Sequence, residues 1–155
     1  MANANEQLVN QFYQAFQKRD GGAMAACYHP DAAFEDEVFC LQGEDVGLMW
    51  KMLCAQAKEF RLEFSEVHCD ELKGSAHWEP RYRFSMTNRD VHNIVDATFE
   101  FKDGLIYRHR DRFDFWRWSK QALGVPGQLM GWSSLLRNKV RKTASRNLQR
   151  YKRSI

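Results

Sequence analysis

The chain has 155 residues, 44% hydrophobic and 14% aromatic, which suits one domain with its own core and excludes a disordered chain. No run approaches the roughly 20 apolar residues of a membrane span, and the polar opening MANANEQLVN lacks the regions of a secretory signal, so a cytoplasmic address is expected. The net charge of +3 is unevenly spread: residues 1–114 carry 13 Lys/Arg against 20 Asp/Glu, whereas residues 115–155 carry ten Lys/Arg and no acid.

Along the chain, Leu8, Val9, Phe12, Ala15 and Phe16 recur at helical spacing and predict a helix over 6–18. The glycines of RDGGAM end it, AMAACY reads as a second short helix, and HPD closes that one. AAFEDEVF follows as a strand, in which alternation puts Phe34, Asp36 and Val38 on one side and Glu35 and Glu37 on the other. After the turn at LQGED, Leu48, Met49, Met52, Leu53 and Ala57 mark a third helix over 45–58. The period then changes to two. FRLEFSEVHCDEL, SAHWEPRYRFSMT, VHNIVDATFEF and LIYRHRDRFDFW read as strands, with turns at KG, TNRD and KDG. Helices followed by strands indicate an α+β fold with helices on one face of an antiparallel sheet. From SKQALGVPG onward the chain is helical with a break at GVPG, dividing it into a body over 1–122 and an extension over 123–155.

Asp36 poses the first chemical question, because a carboxylate flanked by Phe34 and Val38 loses solvation. That raises its pKa and suits it to act as a base near neutral pH. The same residue could instead cap a turn or pair with an arginine. In residues 107–118, alternation gathers Tyr107, His109, Asp111, Phe113 and Phe115 on one face. A His and an Asp two apart can fix an imidazole tautomer and shuttle protons, or form a buried pair that holds the sheet together. Trp78, Tyr82, Phe84 and Met86 share another face, and Phe99 and Phe101 add more rings. The four cysteines, Cys27, Cys40, Cys54 and Cys69, fall singly with no zinc-like spacing, so they are expected to be reduced and mostly buried, with no metal and no other cofactor.

Three segments, FYQAFQKRDGGAMAACYHPDAAFED, the third helix and VDATFEFKDGLIYRHRDRFD, together resemble the ketosteroid isomerase and SnoaL-like superfamily, also called nuclear transport factor 2-like. The resemblance implies a cone-shaped roll, with a strongly curved antiparallel sheet wrapping the N-terminal helices around a pocket, often as a homodimer. Asp36 stands where ketosteroid isomerases carry their general-base aspartate. HRDRFD resembles the W-R-D-x-F-D strand of limonene epoxide hydrolases, whose aspartate helps activate water, and Asp111 would take that role. The match also departs from both families. Phe12 occupies the place of the isomerases' oxyanion tyrosine, with Tyr13 one step round the helix. Ala97 replaces their late-strand acid, and Asp96 shares the other face with Ile94 and Thr98. Losing both oxyanion donors removes several kcal/mol of transition-state stabilisation. HWEPRYRF supplies Arg81 and Arg83 without the aspartate spacing of the hydrolases.

These residues lead to a catalytic set of Asp36, His109 and Asp111 beside a wall of Phe12, Tyr13, Phe34, Trp78, Tyr82, Phe99 and Phe113. The expected function is acid–base isomerisation, cyclisation or hydrolysis of a hydrophobic small molecule. The resemblance implies a polyketide-, terpenoid- or steroid-like substrate. The alternative is a non-catalytic ligand-binding or assembly module. At the C-terminus, Trp132, Leu136, Val140, Ala144 and Leu148 form one apolar stripe, and cations fill the other positions. That helix either packs on the cone or a partner subunit, or binds an anionic surface. With only Tyr151 available for stacking, lipid is favoured over nucleic acid.

Overall fold

The structure, a computed structural model, describes residues 3–155. Its elements are α1 (Ala4–Gln17), α2 (Gly21–Ala26), β1 (Tyr28–Glu35), β2 (Cys40–Gln42), α3 (Glu44–Gln56), β3 (Lys58–Cys69), β4 (Lys73–Phe84), β5 (Arg89–His92), β6 (Val95–Lys102), β7 (Leu105–Arg112), α4 (Phe115–Leu123), α5 (Val125–Met130) and α6 (Ser134–Ser154). The Asn3 side chain caps α1 by accepting the Glu6 amide at 2.9 Å, and Val9, Phe12, Tyr13 and Phe16 form its buried stripe. The glycines at 21 and 22 do more than end α1. They open α2, which Asp20 caps by accepting the Ala23 amide at 3.0 Å. A Cβ on Gly21 would stand 2.6 Å from the Lys51 Cα, so only glycine lets α2 lie this close to α3.

The seven strands run in the order β2-β1-β7-β6-β4-β3, with β5 paired to β4. All pairs are antiparallel except β1 with β7, so the sheet is mixed where an antiparallel one was expected. Register shifts interrupt β3–β4 twice, β6–β7 once and β1–β7 once. Each such irregularity bends a strand, and together they curl the sheet around α1 and α3. The shift in β6–β7 leaves Tyr107 unpaired between Ile106 and Arg108. Ile106 therefore takes the inward place, while Tyr107 packs outside against His29.

Two more strand readings are corrected. The stretch over 91–101 is two strands, broken at buried Asn93, whose amide bonds to the Pro80 carbonyl. The last strand ends at Arg112, because Asp114 accepts the Arg117 amide at 3.1 Å and starts α4. Phe113 and Phe115 thus leave the face they were expected to share with His109.

One core fills the cone with Phe12, Tyr13, Phe34, Trp50, Trp78 and Phe99 among others. A smaller cluster, Val91, Phe115, Trp118 and Ala122 with Tyr82 and Phe84 against them, seats α4 on the sheet. Leu148 anchors α6 in the main core, and Lys152 meets Asp45 at 3.0 Å while the Arg141 Nε donates to the Glu37 carbonyl at 2.9 Å. Among the described residues no helix is long and apolar enough to cross a membrane, and no group of three or more metal-ligating side chains is assembled.

Candidate active site

β7 brings His109 and Asp111 inward on alternate positions, and both are 2% exposed. The His109 Nε2 lies 2.8 Å from the Asp111 Oδ1, and its Nδ1 lies 2.7 Å from the Tyr28 hydroxyl. The Trp50 indole donates to that hydroxyl at 2.8 Å, and the Trp78 indole donates to the Asp111 Oδ1 at 3.3 Å. One direction of donation satisfies this chain: Trp50 to Tyr28, Tyr28 to the His109 Nδ1, and the His109 Nε2–H to Asp111. Phe99 and Phe34 close on the imidazole with ring centroids 4.5 and 4.9 Å away. Across the ladder Ala97 faces Asp111, so the inward carboxylate comes from β7 and not from β6.

Two polar atoms in this interior have no partner, the Asp111 Oδ2 and the Tyr13 hydroxyl. Tyr13 is fully buried. Its pKa is pushed well above the ordinary tyrosine value, first by burial and then by the Asp111 charge. The Tyr28 hydroxyl is raised for the same two reasons, against the hydrogen bond from Trp50, which lowers it. A buried unpaired polar group costs about 1–3 kcal/mol, so two facing the same aromatic interior are unusual.

Asp36 is placed differently from the strand reading. β1 ends at Glu35, and Asp36 opens the turn to β2, with its Oδ1 accepting the Val38 and Phe39 amides at 2.7 and 2.6 Å. It is a turn cap, half-buried, and its Oδ2 takes neither amide. Burial pushes its carboxyl up to about 7, against the two turn amides that lower it, with the charges of Asp111 and Glu37 adding to the rise. Tyr82 belongs to the same outer layer. Its hydroxyl accepts the Trp118 indole N–H at 2.9 Å and is pushed up to about 12, by burial first, with the Asp36 charge also raising it.

Phe12, Tyr13, Phe34, Trp78 and Phe99 pack around the His109–Asp111 pair and fill the hollow they were expected to line. Tyr82 lies outside it, half-buried in the cluster under α4, and Phe113, also half-buried, packs between that cluster and the main core. Two concavities lie away from this interior. One of about 430 Å³ borders Glu6, His68 and Lys73, and one of about 740 Å³ borders Phe60, Arg61, Arg81, Tyr82 and His92. Arg83 is held outside by Glu59 and Asp90, at 3.0 and 3.3 Å. Sequence reasoning missed Tyr28 and Trp50. Trp50 follows Leu48 and Met49 in a helix whose apolar stripe was already recognised, and a tryptophan there was the available signal.

The model of the family described as SnoaL-like domain matches residues 9–109. No curated protein matches the chain. Among solved structures, an LEH-like epoxide hydrolase of M. tuberculosis aligns with TM-score 0.64 and 21% identity over 86% of this chain and 95% of its own. A protein of Catenulispora acidiphila with a ketosteroid isomerase-like fold, solved with trimethylamine, aligns with TM-score 0.67 and 10% identity over 81% and 96%. An NTF2-like protein of unknown function from Burkholderia pseudomallei gives 0.62 and 20% over 73% and 92%. At these identities the structural likeness establishes the fold alone. The family match spans the cone from α1 to His109, and by it this chain belongs to the SnoaL-like domain family.

Proposed function

We propose that the protein is an acid–base enzyme of the SnoaL type, isomerising, cyclising or hydrolysing a hydrophobic small molecule without a cofactor. The observation that carries this reading is the pair of unpartnered buried atoms, the Asp111 Oδ2 and the Tyr13 hydroxyl, beside a hydrogen-bonded histidine. A hydroxyl group or a water would serve both, accepting from the Tyr13 O–H and donating to the Asp111 Oδ2. Tyr13, kept protonated by its raised pKa, donates to an oxygen that gains negative charge. Asp36, pushed up to about 7, takes the proton on its Oδ2 and gives the same proton back, which closes the cycle, while the Asp111 carboxylate, held by His109, orients the substrate. Because His109 and Asp111 are 2% exposed, a ligand reaches them only by displacing the rings packed around them.

A β,γ-unsaturated ketone and a terminal epoxide probe the isomerase and hydrolase branches. Turnover of either should fall about a hundredfold or more in Asp36→Asn and Asp111→Asn, with circular dichroism unchanged. Equal rates in both variants would refute the enzyme. The filled cone favours a second reading, a binding module without chemistry. That reading prevails if a phenol such as 4-nitrophenol raises the melting temperature while no probe is turned over.

A further inference from the structure

A Cβ on Gly127 would overlap the Ser119 carbonyl, so glycine is what lets α5 lie flat on α4. With that face inward, Val125 and Leu129, four apart, turn to solvent and are 65% and 64% exposed. Trp132 donates its indole N–H to the Leu129 carbonyl at 2.9 Å and is 73% exposed. Leu135, in the first turn of α6, is 71% exposed. Single exposed apolar side chains are ordinary, but a run of large ones between residues 125 and 135 marks a contact surface.

α6 continues that surface with charge. From Leu135, Lys139, Lys142, Arg146, Arg150 and Arg153 follow at spacings of three and four, all exposed, on the face opposite buried Leu148. The cations that meet the body are others, Arg137, Arg141 and Lys152. The solvent stripe has no ion-pair partner among the described residues, and residues 115–155 contain no acid.

We propose that this face docks on an anionic lipid bilayer. Val125, Leu129, Trp132 and Leu135 enter the interfacial region, where tryptophan is favoured, and the cations of α6 meet the headgroup phosphates. The acidic excess of residues 1–114 is repelled by such a surface, which favours docking by this end. A second copy docked through the same face would bring two basic stripes together. Nucleic acid would leave the aliphatic side chains without a role. The inference does not depend on the acid–base reading.

Co-sedimentation of the full chain with phosphatidylglycerol/phosphatidylethanolamine vesicles tests it, with pure phosphatidylcholine vesicles as the neutral control. Binding should require the anionic lipid and weaken with salt. Lys139→Gln/Lys142→Gln/Arg146→Gln should lower affinity about a hundredfold, at about fivefold per cation near the surface. Leu129→Ser/Trp132→Ser should remove the part that survives high salt, and unchanged melting curves for both variants show that they fold. Equal binding to both vesicle types overturns the proposal. So does a dimer, seen by light scattering, that Leu129→Ser/Trp132→Ser dissociates, or duplex DNA binding as tight as vesicle binding and untouched by that variant.

Discussion

Two histidine–carboxylate clusters stand on opposite faces of the same sheet. Inside, His109 meets Asp111 at 2.8 Å with side chains 0% and 2% exposed. Outside, His77 lies 2.8 Å from both Asp96 and Glu79, and Glu79 reaches His92 at 2.8 Å, with exposures from 23% to 75%. The distances are alike, and the surroundings are not. Attraction between charges scales inversely with the effective dielectric, and so does the cost of leaving one of them alone. Water can replace a lost partner of His77, whereas nothing in the aromatic interior can replace a lost partner of His109.

The sharpest way to break this contrast is Asp111→Ala. It strips the charged acceptor from the His109 Nε2 and the Trp78 indole, two buried hydrogen bonds at about 1.5–3 kcal/mol each, read by urea unfolding. A loss below about 1 kcal/mol would make the inner pair no different from the outer. Tyr28→Phe comes next. It leaves the Trp50 indole and the His109 Nδ1 unpaired, at about 1–3 kcal/mol, and combined with Asp111→Ala it should be less than additive.

Asp36 sharpens the comparison from the turn after β1. Its carboxyl rises from 3.8 to about 7 on folding, so the folded state prefers the protonated form. Its contribution is full below about pH 4 and is lost as pH rises through about 7. Melting curves from pH 4 to 8 should show that fall, and Asp36→Asn should flatten it by about 1–2 kcal/mol, a size reduced for the residue's remaining exposure. The smallest effect belongs outside. Asp96→Asn should stay within about 0.5 kcal/mol of the parent chain. Asp96 and then Glu79 raise the His77 pKa, so this cluster contributes fully below 6.5 and fades as pH rises through the raised value. NMR titration of His77 should show its pKa fall towards 6.5 in that variant.

The helices were legible because α1 and α3 bury stripes that repeat at helical spacing. The switch to period two marked the sheet. Misreadings gathered where one local event overrode alternation. The Asp36 turn cap ended β1 at Glu35, the irregularity at Tyr107 turned that ring outward, and Asp114 converted the end of the last predicted strand into α4. The His109–Asp111 pair was legible because two-residue spacing along one strand is itself local. Tyr28 was not, since its partners lie 81 and 22 residues away.

What the amino-acid order determined by itself was the periodicity of each element, the inward place of His109 and Asp111, and the separation of an acidic body from a basic end, because backbone geometry and charge act along the chain. Only the tertiary structure decided that rings from α1, α3, β1, β4 and β6 meet and fill the cone, that Asp36 caps a turn, and that the stripe opposite Leu148 stays in solvent. Those outcomes depend on volume shared between residues far apart in sequence, and close packing settles that volume only when all the elements are in place.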